Sequence, residues 1–113
     1  MRRRAPREGM GDPGRLLGLI GLGYRGRNVT IGVDAVRRDL QAGKCRCVVV
    51  AEDASPRAVD KVVRLAAAKG VPLLPGPRAA AIGAQVGRPP VMAVGVRDRA
   101  LAGGMVQLAP ARS

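Results

Sequence analysis

The stretch between residues 47 and 74 constrains the fold more than any other part of the chain. It opens with CVVVA at residues 47–51, an uninterrupted apolar run that is typical of a strand covered on both faces. Ser55 then supplies an N-cap hydroxyl, and Pro56 takes the first helical position, where its missing N–H costs nothing. Apolar residues recur at helical spacing until Gly70 ends the helix, and a second strand follows. The segment therefore predicts a β-α-β unit.

The remaining segments repeat this alternation of strands and helices. The predicted helices lie at residues 13–22, 33–42, 56–69, 77–86 and 98–102, and Asp98 is the predicted N-cap of the last one. The predicted strands lie at residues 28–31, 46–51, 71–74 and 91–96, and residues 74–77 form a predicted turn. Phe and Trp are absent and Tyr24 is the only aromatic residue, so the core consists of aliphatic side chains, which favours thin and closely packed layers. The sequence thus predicts an α/β protein, a three-layer α/β/α sandwich around a small mixed four-stranded sheet.

A length of 113 residues predicts one domain. Residues 1–11 carry four Arg together with Pro and Gly and show no apolar periodicity, which predicts a flexible basic arm. Residues 12–103 form the predicted domain, and Gly103-Gly104 is expected to release residues 104–113 as a weakly structured tail. No apolar run approaches the roughly 20 residues of a membrane-spanning helix, and no secretory segment follows the arginine-rich start. We therefore expect a cytoplasmic protein with no membrane partner.

The charge balance points to a polyanionic partner. Twenty Lys and Arg against eight Asp and Glu give a formal net charge of +12, which implies a strong positive field around so small a domain. Anionic lipid also fits this sign, but no predicted helix combines a basic face with large interfacial aromatic residues. Nucleic acid is the favoured partner.

Catalytic groups are missing from the sequence. The chain has no His, and Cys45 and Cys47 alone cannot complete a tetrahedral zinc site, so both are predicted to be small buried hydrophobic residues on one face of a strand. The glycines of GLIGLG at residues 18–23 lie inside a predicted helix and do not follow a strand, which favours helix packing over nucleotide binding. The pair Glu52-Asp53 suits helix capping better than catalysis. We expect no enzyme, cofactor or metal site.

The segment GVDAVRR at residues 32–38 is the best candidate for function. A helix begins there, so free backbone amides and the positive end of the helix dipole lie beside Arg37 and Arg38. Such a helix start can hold a nucleic-acid backbone. A solvated amphipathic helix with Val33 and Val36 turned inward explains the same residues equally well.

Several pieces of the chain, taken together, carry a family resemblance. They are LLGL at residues 16–19, GVDAVRR at 32–38, QAGKCRCVVVAEDASP at 41–56, GVP at 70–72, IGAQVG at 82–87 and AVGVRD at 93–98. Over residues 16–101 the chain resembles the kink-turn-binding superfamily of ribosomal proteins, of the L7Ae/L30e type, and most closely its small bacterial YlxQ-like members. The combination of AEDASP with the later IGAQVG is the most specific part of this resemblance.

The resemblance implies an α/β/α sandwich that grips a kinked RNA duplex through the start of helix two and the loop after helix four. Carried over position by position, the implied RNA-binding residues are Gly32, Val33, Asp34, Ala35, Arg37, Arg38, Gly87, Arg88, Pro89, Pro90 and Val91. Asp34 stands where the family commonly has an Asn that both donates and accepts hydrogen bonds, whereas a carboxylate only accepts them. Ala35 replaces an acidic residue, and the usually apolar loop tip is Arg-Pro-Pro.

Two functions of different classes follow from these observations. The first is a non-catalytic, monomeric RNA-binding protein, ribosomal-protein-like or ribosome-associated, with residues 12–103 as its RNA-binding domain and structured ribosomal or other non-coding RNA as its partner. The second is a protein-protein interaction module of the same fold with little RNA specificity, whose candidate surfaces are residues 79–81 and helix one.

Overall fold

Helices and strands alternate throughout residues 13–108, the part of the chain that the computed structural model describes. The elements in chain order are α1 (Pro13–Arg25), β1 (Val29–Ile31), α2 (Val33–Gln41), β2 (Cys47–Ala51), α3 (Pro56–Ala68), β3 (Leu73–Gly76), α4 (Ala79–Gln85), β4 (Ala93–Val96) and α5 (Arg99–Leu108). The predicted basic arm at residues 1–11 lies outside the described residues.

The four strands form one mixed sheet in the order β1-β4-β2-β3. Strand β4 is antiparallel to both β1 and β2, whereas β2 and β3 are parallel, with Val49 opposite Val94 on one side and Leu74 on the other. All five residues of β2 are buried, as expected for an apolar strand in the middle of a sandwich.

Helices cover both faces of this sheet. On one face, Val36 and Leu40 of α2 and Val62 of α3 pack against β2. On the other face, α1, α4 and α5 contribute Ile20, Ile82 and Met105 to a second cluster. The prediction of a three-layer α/β/α sandwich around a mixed four-stranded sheet is therefore confirmed.

Side-chain caps begin three of the helices. Ser55 Oγ accepts a hydrogen bond from the amide of Ala58 at 3.4 Å, and an Asp98 carboxylate oxygen accepts one from the amide of Leu101 at 2.8 Å, so both predicted caps are confirmed. Asp53 Oδ1 accepts from the amide of Ala79 at 2.8 Å and so caps α4, a helix that starts well beyond it in the chain. Asp53 thus has the capping role preferred for the acidic pair, whereas Glu52 lies 3.8 Å from the Arg78 guanidinium.

The C-terminal prediction is wrong for residues 104–108. Helix α5 runs through Gly103-Gly104 to Leu108 because Ala102 and Met105 pack into the core, and Met105 has no exposed surface. This burial offsets the roughly 1 kcal/mol that each glycine costs inside a helix. The rest of the predicted tail, residues 109–113, lies outside the described residues.

Strand β3 also differs from its prediction, because it begins at Leu73 and includes Pro75 and Gly76, which the sequence indicated as a turn. Pro75 pairs with Val50, and Gly76 pairs with Ala51. Strand β3 lies at the edge of the sheet, where a proline is tolerated because no second neighbour needs its N–H.

Both cysteines are free and buried, which confirms their role as small hydrophobic residues. Burial raises the pKa of the Cys45 thiol to about 11 and that of Cys47 to about 12, so both stay protonated and unreactive at neutral pH. They do not share a face of the sheet as predicted. Strand β2 begins only at Cys47, and Cys45 lies before it and packs beneath α2.

Asp39 is the buried charged residue of the described core, with 6% of its surface exposed. Its carboxylate accepts two hydrogen bonds from the Arg97 guanidinium, at 2.7 and 3.0 Å, and a third from the hydroxyl of Thr30. These bonds tie α2 to β1 and to the end of β4. The Arg97 hydrogen bonds hold the pKa of Asp39 below its ordinary value.

We expect Asp39→Ala to lower the free energy of unfolding by about 2 kcal/mol at neutral pH, because the substitution leaves Thr30 and Arg97 without their acceptor. A lowered pKa stabilises the fold above the unfolded-state value near 3.8, and this contribution disappears as the pH falls through the lower folded-state pKa. The difference between wild type and variant in urea unfolding should therefore shrink at acidic pH.

The matched control for this experiment is Asp60→Ala, which removes an exposed carboxylate that forms an ion pair with Arg64. Its cost should stay below about 1 kcal/mol. Equal costs for the two variants, or a gap that does not change with pH, would contradict the anchoring role of Asp39.

Candidate nucleic-acid interface

The start of α2 is held firmly by the sheet but carries no side-chain cap. Gly32 is the N-cap residue and has a φ of 100°, a conformation that favours glycine. Its amide donates to the Ala93 carbonyl at 2.9 Å, and its own carbonyl accepts from the amide of Val36 at 3.0 Å. The first-turn amides therefore have no side chain as acceptor, and they place the positive end of the helix dipole at this point.

The loop after α4 folds back along its own helix. Gly87 has a φ of 69° and reverses the chain. The amide of Arg88 then donates to the Gly83 carbonyl at 2.8 Å, and that of Val91 donates to the Ala79 carbonyl at 3.0 Å. These bonds leave Arg88 exposed and bury Val91.

These two segments meet at one cleft. It has a volume of about 330 Å³, and its lining residues are Ile31, Gly32, Val33, Arg88, Pro89, Pro90, Val91 and Met92. Residues from both predicted site segments thus lie side by side, although more than fifty positions separate them in the chain. Gly87 is the turn that leads into the lining residues.

The other predicted site residues lie on α2 beside the cleft but do not line it. Asp34 is 85% exposed and Ala35 is partly buried, while Arg38 is exposed. Arg37 turns away, toward α3, and its guanidinium lies 3.8 Å from the Asp34 carboxylate. The single acidic residue at this helix start is therefore beside a cation.

Tyr24 is a contributor to this region that the sequence did not indicate. The Arg88 guanidinium lies over its ring at 5.9 Å from the centroid, within the range of a cation–π contact. As the only aromatic residue of the chain, Tyr24 was the one signal that could have suggested such a contact. The contact joins α1 to loop 87–91.

The described residues contain no group of three or more His, Cys, Asp or Glu side chains arranged to hold a metal ion. Within the same residues, every helix is too short or too polar to cross a membrane. Six of the eight residues that line the cleft are apolar, and beside them the Arg88 guanidinium and the backbone amides at the start of α2 supply positive charge and hydrogen-bond donors.

Comparison with known proteins identifies the family. Residues 16–102 match the model of the Ribosomal protein L7Ae/L30e/S12e/Gadd45 family. The chain belongs to this family. The match covers most of the described residues and confirms the resemblance, whereas the closer likeness to YlxQ-like members stays a prediction. The search of curated proteins found no match to the chain.

Solved structures of this family's fold resemble the chain at low sequence identity. A Bacillus halodurans protein of unknown function has a TM-score of 0.77 at 22% identity, over 83% of this chain and 95% of that one. The 15.5 kD RNA-binding protein of Giardia lamblia has a TM-score of 0.74 at 22% identity, over 92% of this chain and 87% of that one. At this identity the likeness shows a shared fold.

We expect Gly83→Ala to displace the loop, because an added Cβ would lie 2.2 Å from the Pro89 carbonyl oxygen and 2.6 Å from that of Arg88. Such a clash with backbone should lower the free energy of unfolding by about 1–3 kcal/mol. Gly103→Ala is the control, since its Cβ meets nothing within 4 Å inside α5. It should raise stability by up to about 1 kcal/mol. Equal thermal unfolding curves for both variants would contradict the close loop contact.

Proposed function

We propose that this protein is a non-catalytic RNA-binding protein, ribosomal-protein-like or ribosome-associated, that docks structured RNA at the cleft described above. The observation that carries the proposal is the meeting of an uncapped helix start with an arginine-bearing loop. Membership of a ribosomal-protein family supports it. The Giardia protein of similar fold is itself named as RNA-binding.

Electrostatics around the cleft suit a phosphate backbone. The first-turn amides of α2 can donate hydrogen bonds at a positive dipole end, the exposed Arg88 lines the cleft, and Arg38 is an exposed arginine on the same helix α2. The net charge of +12 adds a long-range attraction for any polyanion.

The kind of RNA follows from the near absence of aromatic side chains. Proteins that read single strands stack bases on exposed aromatic rings, and here Tyr24 is partly buried under Arg88. The contacts available instead are to phosphates and to the shape of a duplex. A kinked duplex, whose bend presents two backbone segments to one cleft, fits the paired α2 start and loop 87–91.

The test is a filter-binding titration of a synthetic kink-turn RNA across a range of salt concentrations. Affinity should fall steeply as the salt concentration rises. The logarithm of the association constant should decrease with the logarithm of the salt concentration, with a slope of about 0.7–0.9 for each phosphate contact. We expect Arg38→Glu and Arg88→Glu each to weaken binding by about tenfold or more at moderate salt. Arg99→Glu is the matched control at the opposite end of β4, and it should weaken binding far less.

Three results would count against the proposal. One is the absence of binding to any structured RNA at low salt. The second is an affinity that does not change with salt. The third is an equal loss for Arg99→Glu and the two cleft variants, since that would mean that net charge alone drives association.

Asp34 provides a separate test of kink-turn recognition. Its exposed carboxylate cannot donate a hydrogen bond and repels phosphate, whereas Asn can donate and accept. We expect Asp34→Asn to tighten binding to the kink-turn RNA by about tenfold. Asp98→Asn, at the opposite end of β4, controls for the lost negative charge, because Asn can still cap α5. Equal gains for the two variants would mean that the α2 start does not contact the RNA bases.

A second candidate function is a protein-protein interaction module. Leu22 of α1 is 55% exposed and lines a cleft with Leu19 and Leu101, which favours helix one as a docking surface. Residues 79–81 are a poorer surface than predicted, because Ala79 is buried in the core. Loss of RNA binding on charge reversal at Arg38, with folding intact, separates the first function from the second.

A further inference from the structure

A second positively charged surface lies between α2 and α3. This α2–α3 groove has a volume of about 360 Å³, and its lining residues are Arg37, Gln41, Lys61, Arg64, Leu65 and Ala68. At its far end the Lys69 ammonium donates to the Gln41 carbonyl at 3.4 Å. Neither the family's implied site residues nor the cleft accounts for Lys61, Arg64 or Lys69.

The groove adjoins the candidate interface. Arg37 lies one helical turn after Val33, which lines the cleft, and Arg37 itself lines the groove. Side chains on α3 continue the positive charge, because Lys61 and Arg64 are three residues apart and so share one face of that helix. A ligand that leaves the cleft along α2 therefore meets this row of cations.

The cations of the groove are available to a ligand. Arg64 pairs with Asp60 at 2.7 Å, but both side chains are more than half exposed, and such pairs contribute little in water. Arg37 lies 3.8 Å from the Asp34 carboxylate, which is farther than the separation of Arg64 from Asp60, and Asp34 is 85% exposed. Lys61 forms no ion pair with any described residue.

The lining favours nucleic acid over a protein helix. A helix that docks in a groove needs deep pockets for large apolar anchors, and here the apolar lining is only Leu65 and Ala68. Phosphate groups, in contrast, need spaced cations, and guanidinium groups bind them in a bidentate manner. Charge complementarity therefore points to a phosphate backbone.

We infer that the α2–α3 groove is a second RNA-binding surface, which holds the phosphates of a duplex stem adjoining the element docked at the cleft. This inference rests on the proposed function and extends it, because it predicts that affinity depends on stem length. Lys61 and Arg64 contact the backbone of the stem and read no sequence.

The test compares two synthetic kink-turn RNAs, one with both stems extended by a full helical turn and one with the stems cut to a few base pairs. The groove variant is Lys61→Gln/Arg64→Gln, and the control is Arg46→Gln/Arg99→Gln, which removes the same charge from exposed positions outside the groove. On the long RNA, the groove variant should bind about tenfold more weakly than the control, with a salt slope smaller by about one per lost contact. On the short RNA, the two variants should bind equally.

Each other outcome overturns the inference in a distinguishable way. Equal binding of the two variants to the long RNA would mean that the α2–α3 groove does not contact RNA, and it would leave the cleft proposal unaffected. An equal loss on both RNAs would place Lys61 and Arg64 in the primary site. Failure of the wild-type protein to bind either RNA would overturn both proposals. Circular dichroism of the variants confirms that each one is folded.

Discussion

The hydrogen bonds of Asp39 fix helix α2, on which the whole candidate interface depends. Its carboxylate sits between the sheet and the helix and joins three elements through Arg97 and Thr30. At the other end of the helix, the amide of Gly32 bonds to the carbonyl of Ala93 in β4. Both ends of α2 are thus attached to the sheet, and loop 87–91 leads directly into β4, the strand to which Gly32 is bonded. The same strand therefore positions both sides of the cleft.

An aliphatic core makes this geometry possible. Without Phe or Trp, the helices lie close to the sheet, and glycines allow the closest approaches. A Cβ on Gly95 would lie 2.9 Å from the Cys45 sulfur and 3.4 Å from a Val36 methyl group. Gly83 allows loop 87–91 to fold against α4 in the same way. The resulting core is thin, so a small change in the volume of one core side chain should disturb packing in the neighbouring layers.

Local signals predicted much of this structure, and contacts distant in sequence account for what was missed. The buried run at β2, the cap at Ser55 and the cap at Asp98 each depend on a few neighbouring residues, so the starts of these three elements were predicted to within one residue. The partnership of Asp39 with Arg97 spans 58 positions, and no periodic pattern indicates it.

The candidate site shows the same division. The resemblance indicated both segments of the cleft, and the fold brings them together at one place. It did not indicate that Arg37 faces α3, because the direction of a side chain on a short helix depends on which neighbouring helix packs beside it. The length of helix α5 was missed for a related reason. The helix continues through two glycines because burial of Met105 in the core outweighs the low helix propensity of glycine.

The most direct test of the central claim is to map the RNA contact surface by NMR, following the backbone amides of the ¹⁵N-labelled full chain as a kink-turn RNA is added. Our account predicts that the largest shifts occur together at residues 32–38 and at 87, 88 and 91, while the amides around Arg99 at the opposite end of β4 change little. Shifts confined to α1 and α5, or spread evenly over the basic surface, would contradict it.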